Sequence, residues 1–330
     1  MTQFQTVTAE PARDRWGRPL VPAPNGGKPV AYTRCTTFVD VLEDKYNLQK
    51  WMQRMVAVGL STRQDLHLGA AALATDPDSN KSKLDQLCEQ AVEAAKGSAK
   101  ATIGTALHGF VERINLGQEP GAVPPEYQLH IDAYRKAVTA AGLRPIHVER
   151  FTVQDDLKVG GTPDLVAELD GHEGRFIVDL KTGPSTLKYG ALKVAMQLAV
   201  YAHSHLIDLD TGARTAIDGI RHDRGLVIAL DSETAQCTLH WVDIAAGWEA
   251  VQVAALVRQW RSRKDLLSDF DLASVEPAPR LTDAGVEAAL LNAIAQAPSR
   301  DALTDLWTTS ANHWGDVHTQ AATARLQAIA

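Results

Sequence analysis

The sequence predicts an α/β protein, a sandwich of helices around a mixed β-sheet. Three observations carry this. Residues from about 36 to 141 place apolar side chains at helical spacing. Residues from about 143 to 183 switch to short runs rich in β-branched residues with polar turns between them. The order is then helices, three strands, a helix, two strands and a helix, which lacks the regular βα alternation of a doubly wound fold.

Size and composition are consistent with this. The chain has 330 residues, of which 45% are hydrophobic, enough for a large core. No run of about eighteen apolar residues is present. The start, "MTQFQTVTAEPARDR", has neither a hydrophobic region nor a small-residue cleavage site, so a cytoplasmic location is expected. Cys35, Cys88 and Cys237 stand far apart, without the paired spacing of a zinc or iron-sulfur site, and are expected to be reduced thiols. A net charge of -7 argues against a protein that coats nucleic acid nonspecifically. It is compatible with a local basic groove beside an acidic site.

Taken in order, residues 1–30 are rich in Pro and Gly and read as a flexible arm with no role in the core. Phe38, Leu42, Trp51, Met55 and Val58 then form an apolar helical stripe, with Thr36 and Thr37 as a cap. Helices follow at about 81–96 and 99–116, separated by "KGS", and Pro124 and Pro125 open another through Ala141. The runs "LRPIHVERFTV", "LKVGGTPDLVAEL" and "RFIVDLKTG" read as a three-stranded meander. A helix from about Lys188 to Leu209, the strands "GLVIAL" and "TLHWVDI", and a helix ending near Lys264 complete a main domain spanning 31–267. An acidic, Pro-containing linker at 268–280 leads to a helical tail at 281–330, too small to build a substantial core alone.

The run "FIVDLKTG" carries the chemistry. Strand side chains alternate, so Asp179 and Lys181 share one face while Phe176, Val178 and Leu180 take the other. A carboxylate and an ammonium within a buried element need compensation from each other, from solvent or from a metal. Asp164, in "VGGTPDL", approaches Asp179 if the two strands pair antiparallel through "DGHEG". Two close carboxylates repel, and a divalent cation of the magnesium or manganese type resolves that repulsion. His108 and Glu112 lie one helical turn apart, and Lys193, Gln197 and Tyr201 form a polar stripe at i, i+4 and i+8 that would offer donors to a phosphate backbone.

Together "GTALH", "GGTPD", "VDLKTG" and "MQLAVY" resemble the PD-(D/E)XK nuclease superfamily, in particular its RecB-like exonuclease branch with free-standing phage recombination nucleases. The resemblance implies a restriction-endonuclease-like core and a metal-dependent DNA exonuclease of recombination or repair. It implies that His108, Asp164, Asp179 and the Leu180 backbone carbonyl hold Mg2+ or Mn2+, and that Lys181 orients or activates the attacking water. By the same resemblance Glu112 and Glu149 would be further acidic support, and Gln197, Tyr201 and Lys193 would support the site or contact substrate. No iron-sulfur cluster is expected. The rival readings are a structure-specific or restriction-like endonuclease and a catalytically silent DNA-end scaffold. The tail is expected to bind a recombinase or a single-strand binding protein.

Overall fold

The computed structural model describes residues 10–24, 26–95, 99–183, 186–270 and 283–329. The first nine residues of the expected arm, the "KGS" break and residues 271–280 of the expected linker lie outside them. The chain divides into two compact units, Met1–Arg263 and Lys264–Ala330.

The first unit opens with three short strands, β1 (Leu20–Val21), β2 (Val30–Ala31) and β3 (Thr33–Arg34). Six helices follow: α1 (Cys35–Val39), α2 (Tyr46–Thr62), α3 (Gln64–Leu73), α4 (Lys81–Ala94), α5 (Ala99–Asn115) and α6 (Pro125–Ala140). The expected arm is corrected from residue 10 onward. β1 pairs with β2, and Val21 is fully buried in a small cluster with Tyr32, Phe151, Val153 and Ile207. Pro and Gly here shape turns around an anchored apolar residue.

Next come β4 (Arg144–Val148), β5 (Thr152–Gln154), β6 (Val159–Gly161), β7 (Leu165–Leu169) and β8 (His172–Lys181). The helix α7 (Thr186–Ala202) follows, then β9 (His205–Ile207), β10 (Arg214–Ala216), β11 (Arg224–Leu230), β12 (Cys237–Asp243) and α8 (Ile244–Ser262). The helix expected to reach Leu209 ends at Ala202, because the chain turns back as the hairpin β9-β10, whose turn is organised by Asp208 accepting from the N–H groups of Asp210 and Thr211.

The expected three-strand meander is also corrected. Two of its runs break and feed two different sheets. One mixed five-stranded sheet has the order β12-β11-β8-β7-β4, with β11 and β8 parallel. The other has the order β10-β9-β5-β6-β3. The chain leaves the first sheet after β4, pairs β5 with β6 in the second, and returns as β7.

β8 lies inside the first sheet and is covered on both faces, which explains its nearly continuous apolar sequence. Ile177 packs with Val194, Met196 and Leu198 of α7 and Val251 of α8. Phe176, Val178 and Leu180 pack with Leu107 and Val111 of α5 and Tyr134 of α6. Burying about a dozen such side chains, each contributing ~1.5–3 kcal/mol, makes this sheet the stable platform of the unit.

The second unit contains α9 (Asp283–Gln296), α10 (Arg300–Thr309) and α11 (Asp316–Ile329). Ser299 caps α10 by accepting from the N–H of Ala302 at 3.2 Å. Leu290, Ile294, Ala297 and Leu303 form its own small core. Among the described residues no helix is long and apolar enough to cross a membrane.

Candidate active site

The acidic residues gather where the chain crosses between the two sheets. β7 pairs with β8 in the register Leu165↔Val178, so one further step sets Asp164 opposite Asp179. Asp164 stands in the return crossing from β6 to β7, and its Oδ2 accepts the N–H of Leu180 at 2.7 Å. Glu149 stands in the outward crossing from β4 to β5. Its φ of +47°, uncommon for a non-glycine residue, turns the chain there, and its N–H donates to the Asp164 carbonyl at 3.1 Å.

Asp179 is 2% exposed, and its alternation in β8 turns it toward α7. The Lys181 ammonium lies 2.6 Å from Asp179 Oδ2, and Gln197 Nε2 lies 3.5 Å from Oδ1. The ammonium is thus the close positive partner of the buried Oδ2.

Burial sets the electrostatics. Burial, with Asp164 adding to it, pushes the Asp179 carboxyl up to about 6 despite Lys181. Burial also raises Asp164, opposed by the Leu180 N–H and by Lys181. Glu149 is pushed up to about 8, by burial first and then by Asp164, Glu112 and Asp179. Burial lowers His108, partly offset by Asp179. A group of carboxyls that all resist ionisation is short of positive charge.

His108 Nδ1 lies 3.7 Å from Asp164 Oδ2. Beside them is a cavity of about 10 Å³, lined by His108, Glu112, Glu149 and Asp164 among others. That is room for roughly one water or one small ion. No three His, Cys, Asp or Glu side chains among the described residues stand ready to hold an ion together. The donor set nevertheless suits a hard divalent cation: oxygen-rich, with one imidazole, and made of carboxyls that burial makes reluctant to ionise without added positive charge.

Residues 64–205 match the PD-(D/E)XK nuclease superfamily. No curated protein matches the chain. The matched segment spans every candidate site residue named from the sequence, and the mixed α/β architecture is consistent with a PD-(D/E)XK core.

Within this PD-(D/E)XK segment the polar stripe of α7 divides its work. Gln197 reaches Asp179, and the Tyr201 hydroxyl, buried, bonds Gln197. Tyr201 therefore acts through Gln197. Lys193 turns elsewhere, lying 2.5 Å from Asp40 Oδ1 and 3.1 Å from Glu43 Oε2, and it ties α7 to the turn after α1. Its expected place at the site is corrected on that geometry. Sequence reasoning missed Asn115 and Tyr134, which also line the small cavity and are joined by a 2.8 Å hydrogen bond. Asn115 follows His108 and Glu112 at i+7, and that extended stripe was the available signal. Cys35, Cys88 and Cys237 are free thiols.

Proposed function

We propose that this protein is a metal-dependent deoxyribonuclease of the RecB-like type, an exonuclease that hydrolyses phosphodiester bonds at DNA ends during recombination or repair, in a phage-type system. The observation that carries the reading is the pair Asp164, just before β7, and Asp179 of β8, set opposite each other by the β7–β8 register, with the Lys181 ammonium 2.6 Å from Asp179.

A phosphodiester resists hydroxide because it is itself anionic, so positive charge must be supplied where water attacks and where charge gathers on the phosphoryl oxygens. Asp164, Asp179, His108 and the Leu180 carbonyl would hold Mg2+ or Mn2+, which supplies Lewis acidity and lowers the pKa of water. Lys181 adds an ammonium that stabilises the hydroxide-like nucleophile and the developing charge. Gln197, held by Tyr201, fixes the Asp179 carboxylate through Oδ1. Glu112 and Glu149 border the small cavity, where burial and the neighbouring carboxylates leave Glu149 holding its proton up to about pH 8. The C-terminal unit carries none of these residues, and we assign it to a partner protein such as a recombinase or single-strand binding protein.

The test is incubation of end-labelled linear DNA and covalently closed circular DNA with Mg2+, Mn2+ or chelator. Linear DNA is expected to be degraded from its ends and the circle spared. Cutting of the circle would make the protein an endonuclease, and metal-dependent binding without cutting would make it a scaffold.

A further inference from the structure

β4 is the last strand of the first sheet, so its outer edge is unpaired among the described strands. A cleft of about 800 Å³ opens along it, facing β9 and β10 of the second sheet. This volume falls within the range of about 300–1,000 Å³ typical of ligand sites. Three arginines, Arg144, Arg150 and Arg175, line it with His147, against the carboxylates Glu168 and Asp218, and Arg144 also pairs with Asp170 at the border. Glu168 is shared between Arg175, at 3.3 Å, and Arg144, at 3.8 Å. Leu143, Ile146 and Leu206 supply apolar wall between the charges.

The cleft begins beside the carboxylates. Glu149 borders the small acidic cavity, while Val148 and Arg150 on either side of it line the cleft. We propose that this cleft holds a single-stranded nucleic-acid segment adjoining the scissile phosphate, with the arginines at its phosphates and the apolar wall against its bases. The proposal rests on the nuclease reading for its substrate class.

The apolar wall favours a single strand over a duplex. Exposed bases need apolar or stacking surface, and phosphates need guanidinium forks; the cleft is lined by both. A duplex hides its base faces and makes no use of the apolar wall. Burial, then the guanidiniums of Arg150 and Arg175, push the His147 imidazole down, so the positive charge of the cleft rests on its arginines. In a chain of net charge -7, such a groove steers a polyanion to one place.

The test uses the full-length protein with chelator present, so that no cutting occurs, and reads the anisotropy of a fluorescein-labelled (dT)12 at about 0.15 M salt, where charges act over about 8 Å. Ala216 is exposed and lines the cleft from β10, so it accepts a new side chain without disturbing the core. Ala216→Lys is expected to tighten binding and Ala216→Glu to weaken it, each by about threefold to fivefold. A folding defect cannot move the two in opposite directions. Arg150→Ala is expected to weaken binding about fivefold and to reduce the salt slope by about one. Unlabelled (dT)12 should compete at least tenfold better than a 12-bp duplex. Unchanged affinity in both Ala216 variants, or a shift in the same direction, overturns the proposal, and equal competition by duplex overturns the single-strand assignment. Separate cleavage assays keep the two readings apart. Oligonucleotide held in the cleft but never cut would sink the nuclease reading alone, and cutting with Ala216-insensitive binding would sink only the cleft.

Discussion

Asp179 Oδ2 lies 2.6 Å from Lys181 Nζ, while Asp164 faces Asp179 from the neighbouring strand one step beyond the last paired residues. One ammonium thus sits against one of two carboxyls that burial makes reluctant to ionise. Replacing either partner should stop cleavage by different routes. Asp179→Ala removes a proposed ligand, and Lys181→Ala removes charge at the nucleophile. Loss of a single well-placed electrostatic group costs ~3 kcal/mol, roughly a hundredfold in rate. Calorimetry should show metal affinity sharply reduced in Asp179→Ala and largely retained in Lys181→Ala. Equal metal affinity for wild type and Asp179→Ala would remove that aspartate from the ligand set.

Under the proposed function, the donors set which metals should serve. Oxygen ligands with one imidazole suit Mn2+ at least as well as Mg2+, whereas Ca2+, with longer bonds and looser geometry, should permit binding without efficient cutting. Rates measured with each ion and with excess chelator check this. Undiminished cleavage in chelator would end the metal assignment.

Glu149 gives a pH signature. Its carboxyl stands at about 8 in the fold against an ordinary value of 4.5, so the folded chain keeps a proton that the unfolded chain releases. Stability from this group therefore falls as pH rises from about 4.5 to about 8. Glu149→Gln removes that loss. The melting temperature of Glu149→Gln relative to wild type should be higher at about pH 9 than at about pH 4. A difference that does not change with pH would contradict the charge environment described here.

Tyr201 offers a test of indirect action. Because its hydroxyl reaches Gln197 and Gln197 reaches Asp179, Tyr201→Phe should lower kcat about fivefold and leave KM nearly unchanged, in line with a net hydrogen-bond contribution of ~1 kcal/mol. A raised KM with an unchanged kcat would instead put the hydroxyl on the substrate.

The C-terminal unit has its own apolar core and contains none of the proposed site residues. A chain ending at Arg263 should therefore fold and retain metal-dependent cleavage, as circular dichroism and a nuclease assay would show. Loss of activity in a folded truncation would assign the tail a part in catalysis.

What could be read along the chain was whatever depends on near neighbours. The alternation in "FIVDLKTG" determined that Asp179 leaves the face of Val178 and Leu180, and the structure has Ile177 and Phe176 in different core clusters. The i, i+4 spacing of His108 and Glu112 set both on one face of α5, and both line the small cavity. The helical character of residues 281–330 was legible too, because helix starts such as Ser299 are capped by a local hydrogen bond. Tertiary structure alone decided which partner each broken segment found. Nothing local marks Glu149 and Asp164 as the points where the chain passes between two sheets, since edge pairing is settled by distant strands such as β9 and β3. Nor does helical spacing reveal that Lys193 meets Glu43, 150 positions away. Periodicity determines which face a side chain takes, and only packing of remote segments determines what stands opposite it.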